Sequence, residues 1–330
     1  MIDRPMNAAA FPRRSVPPTR RPQLRLAADV DAMSALQPDW ALQYDQLARG
    51  SFFGSVQQAR LPQLHLAAET LSKAARQRGR TQPGAIGFAL GLSACGPSFF
   101  HGQRLGSGFL MIGRGDELDL TTPDDFQLIG MLVEEPLLAD IWPRLYQLAR
   151  PAWLGQRLVL PLPREAASLL RARHLGVLEG AVPDTDGRAA TCLRDAILLE
   201  WLRVLPTHAE VPDLSAIDAR RRLVDRACDF VLAAGDEPPT MLAVCRAVGA
   251  SPRKLEYCFR SVLGTSPSRY LRTMRLNAVR RELRLCGDPA RTIQDIAARW
   301  GFWHMSAFAA AYRGQFGELP SRTRQQALAA

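Results

Sequence analysis

Two copies of one helical unit lie in the last third of the chain, and they restrict its fold more than any bulk property does. Thr240-Met-Leu-Ala-Val-Cys-Arg-Ala-Val-Gly249 aligns with Thr292-Ile-Gln-Asp-Ile-Ala-Ala-Arg-Trp-Gly301, matching Thr240/Thr292, Val244/Ile296, Val248/Trp300 and Gly249/Gly301. After the glycine the second copy has one extra residue. Leu255, Phe259, Leu263 and Gly264 then align with Phe308, Tyr312, Phe316 and Gly317, and Pro267-Ser268-Arg269 aligns with Pro320-Ser321-Arg322. The spacing predicts helix, glycine turn, helix, glycine stop, twice over. Thr240 and Thr292 can each accept a backbone N–H at a helix start. Gly249 and Gly301 supply the positive φ that a tight corner between helices needs. Ser251-Pro252 sets a capping hydroxyl before a proline at the first helical position, where the missing N–H costs nothing. Leu255, Phe259, Val262 and Leu263 recur at i, i+4, i+7 and i+8, so one face of the second helix is buried. This is the helix-turn-helix arrangement, whose second helix can enter a DNA major groove. One such pattern is weak, because any helical hairpin shows it. Two matched copies around a basic helix from Tyr270 to Leu285 are strong.

Charge follows the repeat. The 330 residues carry 42 Lys+Arg and 32 Asp+Glu, a formal net charge of +10. Residues 218–330 hold 19 of the basic and 10 of the acidic side chains, so nearly all the excess lies in one third of the chain. A neutral body with a basic appendage calls for a polyanionic partner. With 47% hydrophobic and 22% charged residues, the composition is not that of a disordered chain. No run approaches the roughly eighteen apolar residues of a membrane span. Six cysteines without a C-x-x-C pair, and no secretory signal in the first 25 residues, read as a reduced, cytoplasmic setting.

Residues 220–326 resemble the two-motif DNA-binding domain of AraC-family transcriptional regulators. The motifs that carry the resemblance are Ser251-x-x-x-Leu255-x-x-x-Phe259, the linking Tyr270-Leu271-x-x-x-Arg275-Leu276-x-x-Val279, and Gly301-Phe302-x-x-x-Ser306-x-Phe308-x-x-x-Tyr312-x-x-x-Phe316-Gly317-x-x-Pro320. Within the family, Leu255-Glu-Tyr-Cys-Phe259 and Arg275-Leu-Asn-Ala-Val-Arg-Arg281 look closest to ethanolamine-operon regulators. The resemblance implies seven helices, two of which read adjacent major-groove segments. It also implies an N-terminal part that senses a small-molecule effector and often dimerises, with promoter DNA and RNA polymerase as partners.

On the first reading helix the family's base contacts fall at Arg253, Glu256 and Tyr257. Arg253 suits the O6 and N7 of guanine, and Glu256 suits a cytosine amino group. Tyr257 stands where an arginine is often found, so it is expected on a thymine methyl or a phosphate. Ser251, Lys254 and Arg260 are expected on phosphates, which set register rather than sequence. The second reading helix presents His304, Met305 and Ser306 with Ala309 and Ala310, and Arg313 is expected on a phosphate. Its two alanines point to apolar or shape readout. Trp303 is expected to pack at the turn. Arg272, Arg280 and Arg284 on the linking helix are expected on a solvated face. Thr323 stands where the family commonly has an aromatic, which puts the C-terminal packing in question.

The N-terminal part reads differently. Candidate strands are Phe52–Arg60, Gln63–Ser72, Ala85–Leu92, Gly108–Ile112 and Phe126–Val133, separated by glycine and proline. Residues 85–134 look cupin-like, with turns at Gly102-Gln103 and Gly113-Arg-Gly115-Asp116-Glu117. Helices are expected over Leu137–Ala149, Arg164–His174 and Asp184–Val204. The expected fold is α+β: an antiparallel cupin or jelly-roll-like sensor with helices, then an all-α domain with two helix-turn-helix motifs. The expected division is a disordered leader at 1–26, a sensing and dimerisation domain at 27–206, a linker at 207–219 and the DNA-binding domain at 220–330. No H-x-H, H-E-x-x-H or Cys/His cluster occurs, so no metal, cofactor or catalytic residue is assigned. His65 and His101 are expected as ordinary barrel histidines and Cys95 as a small buried residue. The expected function is a ligand-responsive, DNA-binding activator and not an enzyme. The rival is a cupin-like small-molecule enzyme with a helical tail. The pocket residues are not legible at this stage.

Overall fold

Short apolar stretches, cut by glycine and proline, pair into two antiparallel sheets that face each other. The structure is a computed structural model describing residues 19–328 except 39, 93–95, 107, 181, 184–186, 235–237 and 286–290. Residues 1–18 of the expected leader, Cys95 and the Asp184 helix start therefore lie outside the described residues. The strands are β1 (Thr19–Arg20), β2 (Arg25–Ala27), β3 (Ala41–Gln46), β4 (Gly54–Leu61), β5 (Leu64–Leu71), β6 (Ala75–Arg80), β7 (Ala85–Leu92), β8 (Ser98–Phe100), β9 (Gln103–Leu105), β10 (Phe109–Arg114), β11 (Leu118–Thr121), β12 (Phe126–Glu134), β13 (Leu158–Pro161) and β14 (Val182–Pro183). The larger sheet runs β13-β10-β7-β12-β5-β4-β2 and the smaller one β3-β6-β11-β8-β9, while β1 pairs with β14. Thus β1 and β2 bring residues from within and just beyond the expected leader into the fold.

Helix α1 (Val30–Ala35) packs between the sheets, starting at an Asp29 carboxylate that accepts the Ala32 N–H at 2.8 Å. Helices α2 (Glu135–Tyr146), α3 (Arg164–Glu179) and α4 (Arg188–Leu202) cover the outer face of the larger sheet. There Leu64, Leu66, Ile86, Leu90, Leu110 and Ile112 meet Trp142, Leu170 and Trp201 in one apolar layer. Such a layer, shielded on the outside by helices, leaves the inner face of the sheet to look at its partner sheet.

All five strands expected from the sequence belong to the larger sheet. The smaller sheet went unread because its strands are polar: β3 carries Gln43, Asp45 and Gln46, β6 carries Arg76, Gln77 and Arg78, and β11 carries Asp119. Alternation of apolar and polar residues marks a half-buried strand. Here the polar face is buried as well, against the C-terminal part of the chain.

That part is helical: α5 (Ser215–Ala233), α6 (Met241–Val248), α7 (Pro252–Leu263), α8 (Pro267–Leu285), α9 (Ile293–Arg299), α10 (Met305–Phe316) and α11 (Pro320–Leu328). These are seven helices among the described residues, as the resemblance implied. One core gathers α5, α6, α7 and the first half of α8 around Phe259 and Tyr270. A second gathers the rest of α8 with α9 and α10 around Val279, Phe308 and Tyr312. Thr323 is buried and bonds Tyr312 Oη at 2.9 Å, while its own hydroxyl donates to Glu318 at 2.8 Å, so a polar residue closes the C-terminal packing.

The outer face of the smaller sheet docks on these helices. Arg76, fully buried, holds Asp119 through two bonds of 2.8 and 2.7 Å, and donates to Tyr270 Oη on α8 at 2.9 Å and to Asp225 on α5 at 3.1 Å. Burial alone would raise the Asp119 carboxyl, yet Arg76 holds it below the usual range. Asp45 pairs with Arg281 at 2.7 Å. The backbone of Gln46 exchanges two bonds with the Asn277 side chain, at 2.9 and 3.0 Å. The expectation of a solvated stripe on α8 therefore fails at Arg280, which is buried and pairs with Glu318 at 2.8 Å and Asp29 at 3.2 Å. Arg284 also meets Asp29, from an exposed position, and Arg272 is exposed as expected.

Candidate nucleic-acid interface

Both repeat units form the predicted corner. Thr240 Oγ1 accepts from Ala243 N at 3.2 Å to start α6, and Gly249 ends it at φ +65°. Ser251 Oγ accepts from Lys254 N at 3.2 Å to start α7. In the second unit Thr292 and Asp295 cap each other reciprocally: Asp295 N donates to Thr292 Oγ1 at 3.1 Å and Thr292 N donates to Asp295 Oδ2 at 2.8 Å. These bonds from Thr292 hold the Asp295 carboxyl below its usual range. Gly301 turns the corner at φ +79°.

On α7, Leu255, Cys258, Phe259, Val262 and Leu263 face the core. Arg253, Lys254, Tyr257 and Arg260 are exposed and Glu256 is half-buried, so the expected reading face is outward. The face is not idle without DNA. Glu256 accepts from Arg260 Nε at 2.6 Å, one turn along. The pair lies at the surface, where such bonds are worth about 1 kcal/mol or less, so a base or phosphate can displace it. Arg220 of α5 places its guanidinium 5.8 Å from the centre of the exposed Tyr257 ring. Arg220 thus borders the reading face from another helix, a placement that no local pattern in the sequence reveals.

On α10, His304 and Ser306 are exposed at the start and Arg313 near the end. Met305 is half-buried against the second core and so is turned partly away from any DNA. Trp303 departs from expectation, being 64% exposed rather than packed at the turn. The reason is next to it. Phe302 takes the core position, 5.3 Å from Phe308 and capped on its other side by the Arg275 guanidinium at 5.4 Å, which leaves Trp303 facing outward.

A pair of capped corners, each with a second helix that buries one face in a core and turns the other outward, is the arrangement of a helix-turn-helix domain. Residues 244–326 match the family described as "Helix-turn-helix domain". The chain is 41% identical over 100 residues to the "Probable thc operon regulatory protein" of Rhodococcus erythropolis, covering 30% of each chain. It is 42% identical over 76 residues to the "XylDLEGF operon transcriptional activator" of Pseudomonas putida, covering 23% of this chain and 24% of that one. A solved AraC-type regulator structure from Chromobacterium violaceum shares 30% identity over 33% of this chain and 95% of its own, with a TM-score of 0.30. Residues 244–326 are thus a helix-turn-helix domain. The chain spans about 30% of the first of these curated relatives and about a quarter of the second.

Proposed function

We propose that the protein is a transcriptional regulator that binds double-stranded promoter DNA through α7 and α10 and answers to a small-molecule effector held by its N-terminal part. The observation that carries the reading is the pair of capped helix-turn-helix corners, with Arg253, Lys254 and Arg260 exposed on α7 and Arg313 exposed on α10. In this reading Arg253, Glu256 and Tyr257 contact bases on the first site, with Ser251, Lys254 and Arg260 on phosphates. On the second site His304 and Ser306 lie at base edges and Arg313 on a phosphate. Met305 contributes through its exposed edge only, and Trp303 and Arg220 join as border contacts. Residues 27–206 sense and dimerise, 207–219 link, and 220–330 bind DNA. RNA polymerase is the downstream partner, a homodimer the expected assembly and the cytoplasm the expected compartment. No helix among the described residues is long and apolar enough to cross a membrane.

Footprinting at the promoter beside the protein's own gene, at low salt, tests the reading. A protected site spanning two major-groove segments is expected, and its absence would sink it. Replacing Arg253 with Ala should cost about 1–3 kcal/mol on the protected site and relax preference at one base pair. A loss equal on all sequences would move Arg253 from a base to a phosphate.

A further inference from the structure

Between the two sheets lies a cavity of about 100 Å³. Its floor is a patch of small side chains on the inner face of the larger sheet. Gly130 of β12 stands between Ala67 of β5 and Ala89 of β7, and Gly113 of β10 stands beside Gly87 of β7. Its walls are mostly apolar, with the aromatic rings of Trp40 and Phe100 among them. Into this apolar space the chain puts a carboxylate. Glu69 lies on the same inner face of β5 as His65 and Ala67 and is buried.

Glu69 is unlike the other buried carboxylates among the described residues. Asp45 is matched by Arg281 and Arg78, and Asp119 by Arg76. Glu69 meets only uncharged donors from the smaller sheet: Tyr44 Oη at 3.2 Å and Gln77 Nε2 at 2.9 Å. Burial pushes its carboxyl up to about 8, against the lowering pull of the Tyr44 bond. At neutral pH such a carboxyl keeps its proton and so avoids the cost of a lone buried charge, and an amine entering as the free base can take that proton to form the ion pair in place. The other charged side chains lining the cavity are already engaged. Arg114 pairs with Asp116 and Glu135, and Glu117 pairs with Arg221. The one guanidinium among the described residues lining the cavity is thus already paired, whereas an organic cation finds Glu69 with Trp40 and Phe100, and aromatic faces attract ammonium groups.

We propose that this cavity is the effector site and that its ligand is a small organic cation, an alkylamine or alkylammonium whose nitrogen pairs with Glu69. The volume is about two thirds of the roughly 150 Å³ of an apolar cavity that holds benzene, which points to a ligand of about four or five non-hydrogen atoms. The assignment rests on the regulator reading for its meaning, because the same smaller sheet joins cavity and DNA-binding helices. Tyr44 and Gln77 reach Glu69 from one face of that sheet, while their neighbours Asp45 and Arg76 hold α8 from the other. A cation on Glu69 competes with Tyr44 and Gln77 for its oxygens and so acts on the strands that hold α8.

The test uses the full chain and n-alkylamines from ethylamine to hexylamine, each beside the alcohol and the carboxylic acid of equal length. Binding is followed by calorimetry and by tryptophan fluorescence, which includes Trp40. At least one amine should bind saturably and roughly tenfold or more tighter than its alcohol. Glu69→Gln should abolish that preference while leaving a cooperative unfolding transition. Ala89→Leu, which fills the cavity without touching Glu69, should abolish amine binding as well and serves where the first variant does not fold. Alcohols or acids binding as tightly as amines, no amine binding at all, or unchanged amine affinity in either folded variant would overturn the proposal. The promoter site is titrated with the same preparation. A chain that binds DNA but no amine refutes the cavity assignment alone. A chain that binds amines through Glu69 but no DNA supports the assignment as a binding site and refutes the regulator reading.

Discussion

At the scale of single residues, the two corner glycines show how one motif position can carry two different constraints. Both adopt positive φ, a region in which a side chain costs about 1–2 kcal/mol. Around Gly249 a β-carbon would meet open space. At Gly301 it would stand 2.1 Å from Pro238 Cγ and 2.8 Å from Arg275 Nη1. Gly249→Ala should therefore cost about 1 kcal/mol, the backbone strain alone. Gly301→Ala should cost clearly more, on the order of 3 kcal/mol or above, since overpacking adds to the strain. Urea unfolding of the two variants checks this, and equal losses would show that Pro238 yields freely. The sequence announced both glycines as corners through the repeat. It could not announce Pro238 at Gly301, because that neighbour arrives through tertiary packing. The same limit explains Trp303: Phe302 and Trp303 are both plausible core residues in the sequence, and only the position of Phe308 decides which one turns inward.

At the scale of elements, α8 was legible as a basic helix with a buried side, but its depth of burial was not. It contributes to both C-terminal cores and also receives the smaller sheet, so little of its surface is left for water. Arg280 satisfies itself there with Glu318 and Asp29, and its guanidinium stacks 4.9 Å from the centre of the Phe316 ring. Arg280→Met leaves carboxylates short of their cation and should destabilise the chain by about 3–5 kcal/mol. Arg272→Ala on the same helix should stay within about 0.5 kcal/mol. Chemical denaturation of both variants decides, and a small loss at Arg280 would mean that Arg284 alone can serve Asp29. The strands follow the same logic. Five of the seven strands of the larger sheet could be read because one face of each is largely apolar, while the short edge strands β2 and β13 could not. Those of the smaller sheet look like loops until Arg76, Asp119 and Asp45 are seen paired in the interior, since a strand buried on a charged face has no signature of its own in the sequence.

At the scale of the whole molecule, the N-terminal part touches the far end of each reading helix. Phe99, beside the β8–β9 turn, packs on Gly264 at the end of α7. Gly50 donates its N–H to the Gly314 carbonyl at 3.1 Å, and the Gln46 side chain donates to the Gln315 carbonyl at 2.8 Å, both near the end of α10. Two probes pinned to one rigid bar cannot swivel to follow a duplex whose grooves have been wound out of step. In the proposed reading the chain would therefore respond to helical phase as well as to base identity. Inserting about 5 bp between the two contacted segments rotates one by half a turn and should abolish joint protection, while about 10 bp restores the facing but not the reach. Footprints on such spaced sites should show one segment protected at a time; full protection of both after the half-turn insertion would mean that the bar bends, and that the tape on which this chain reads a promoter has no fixed graduation.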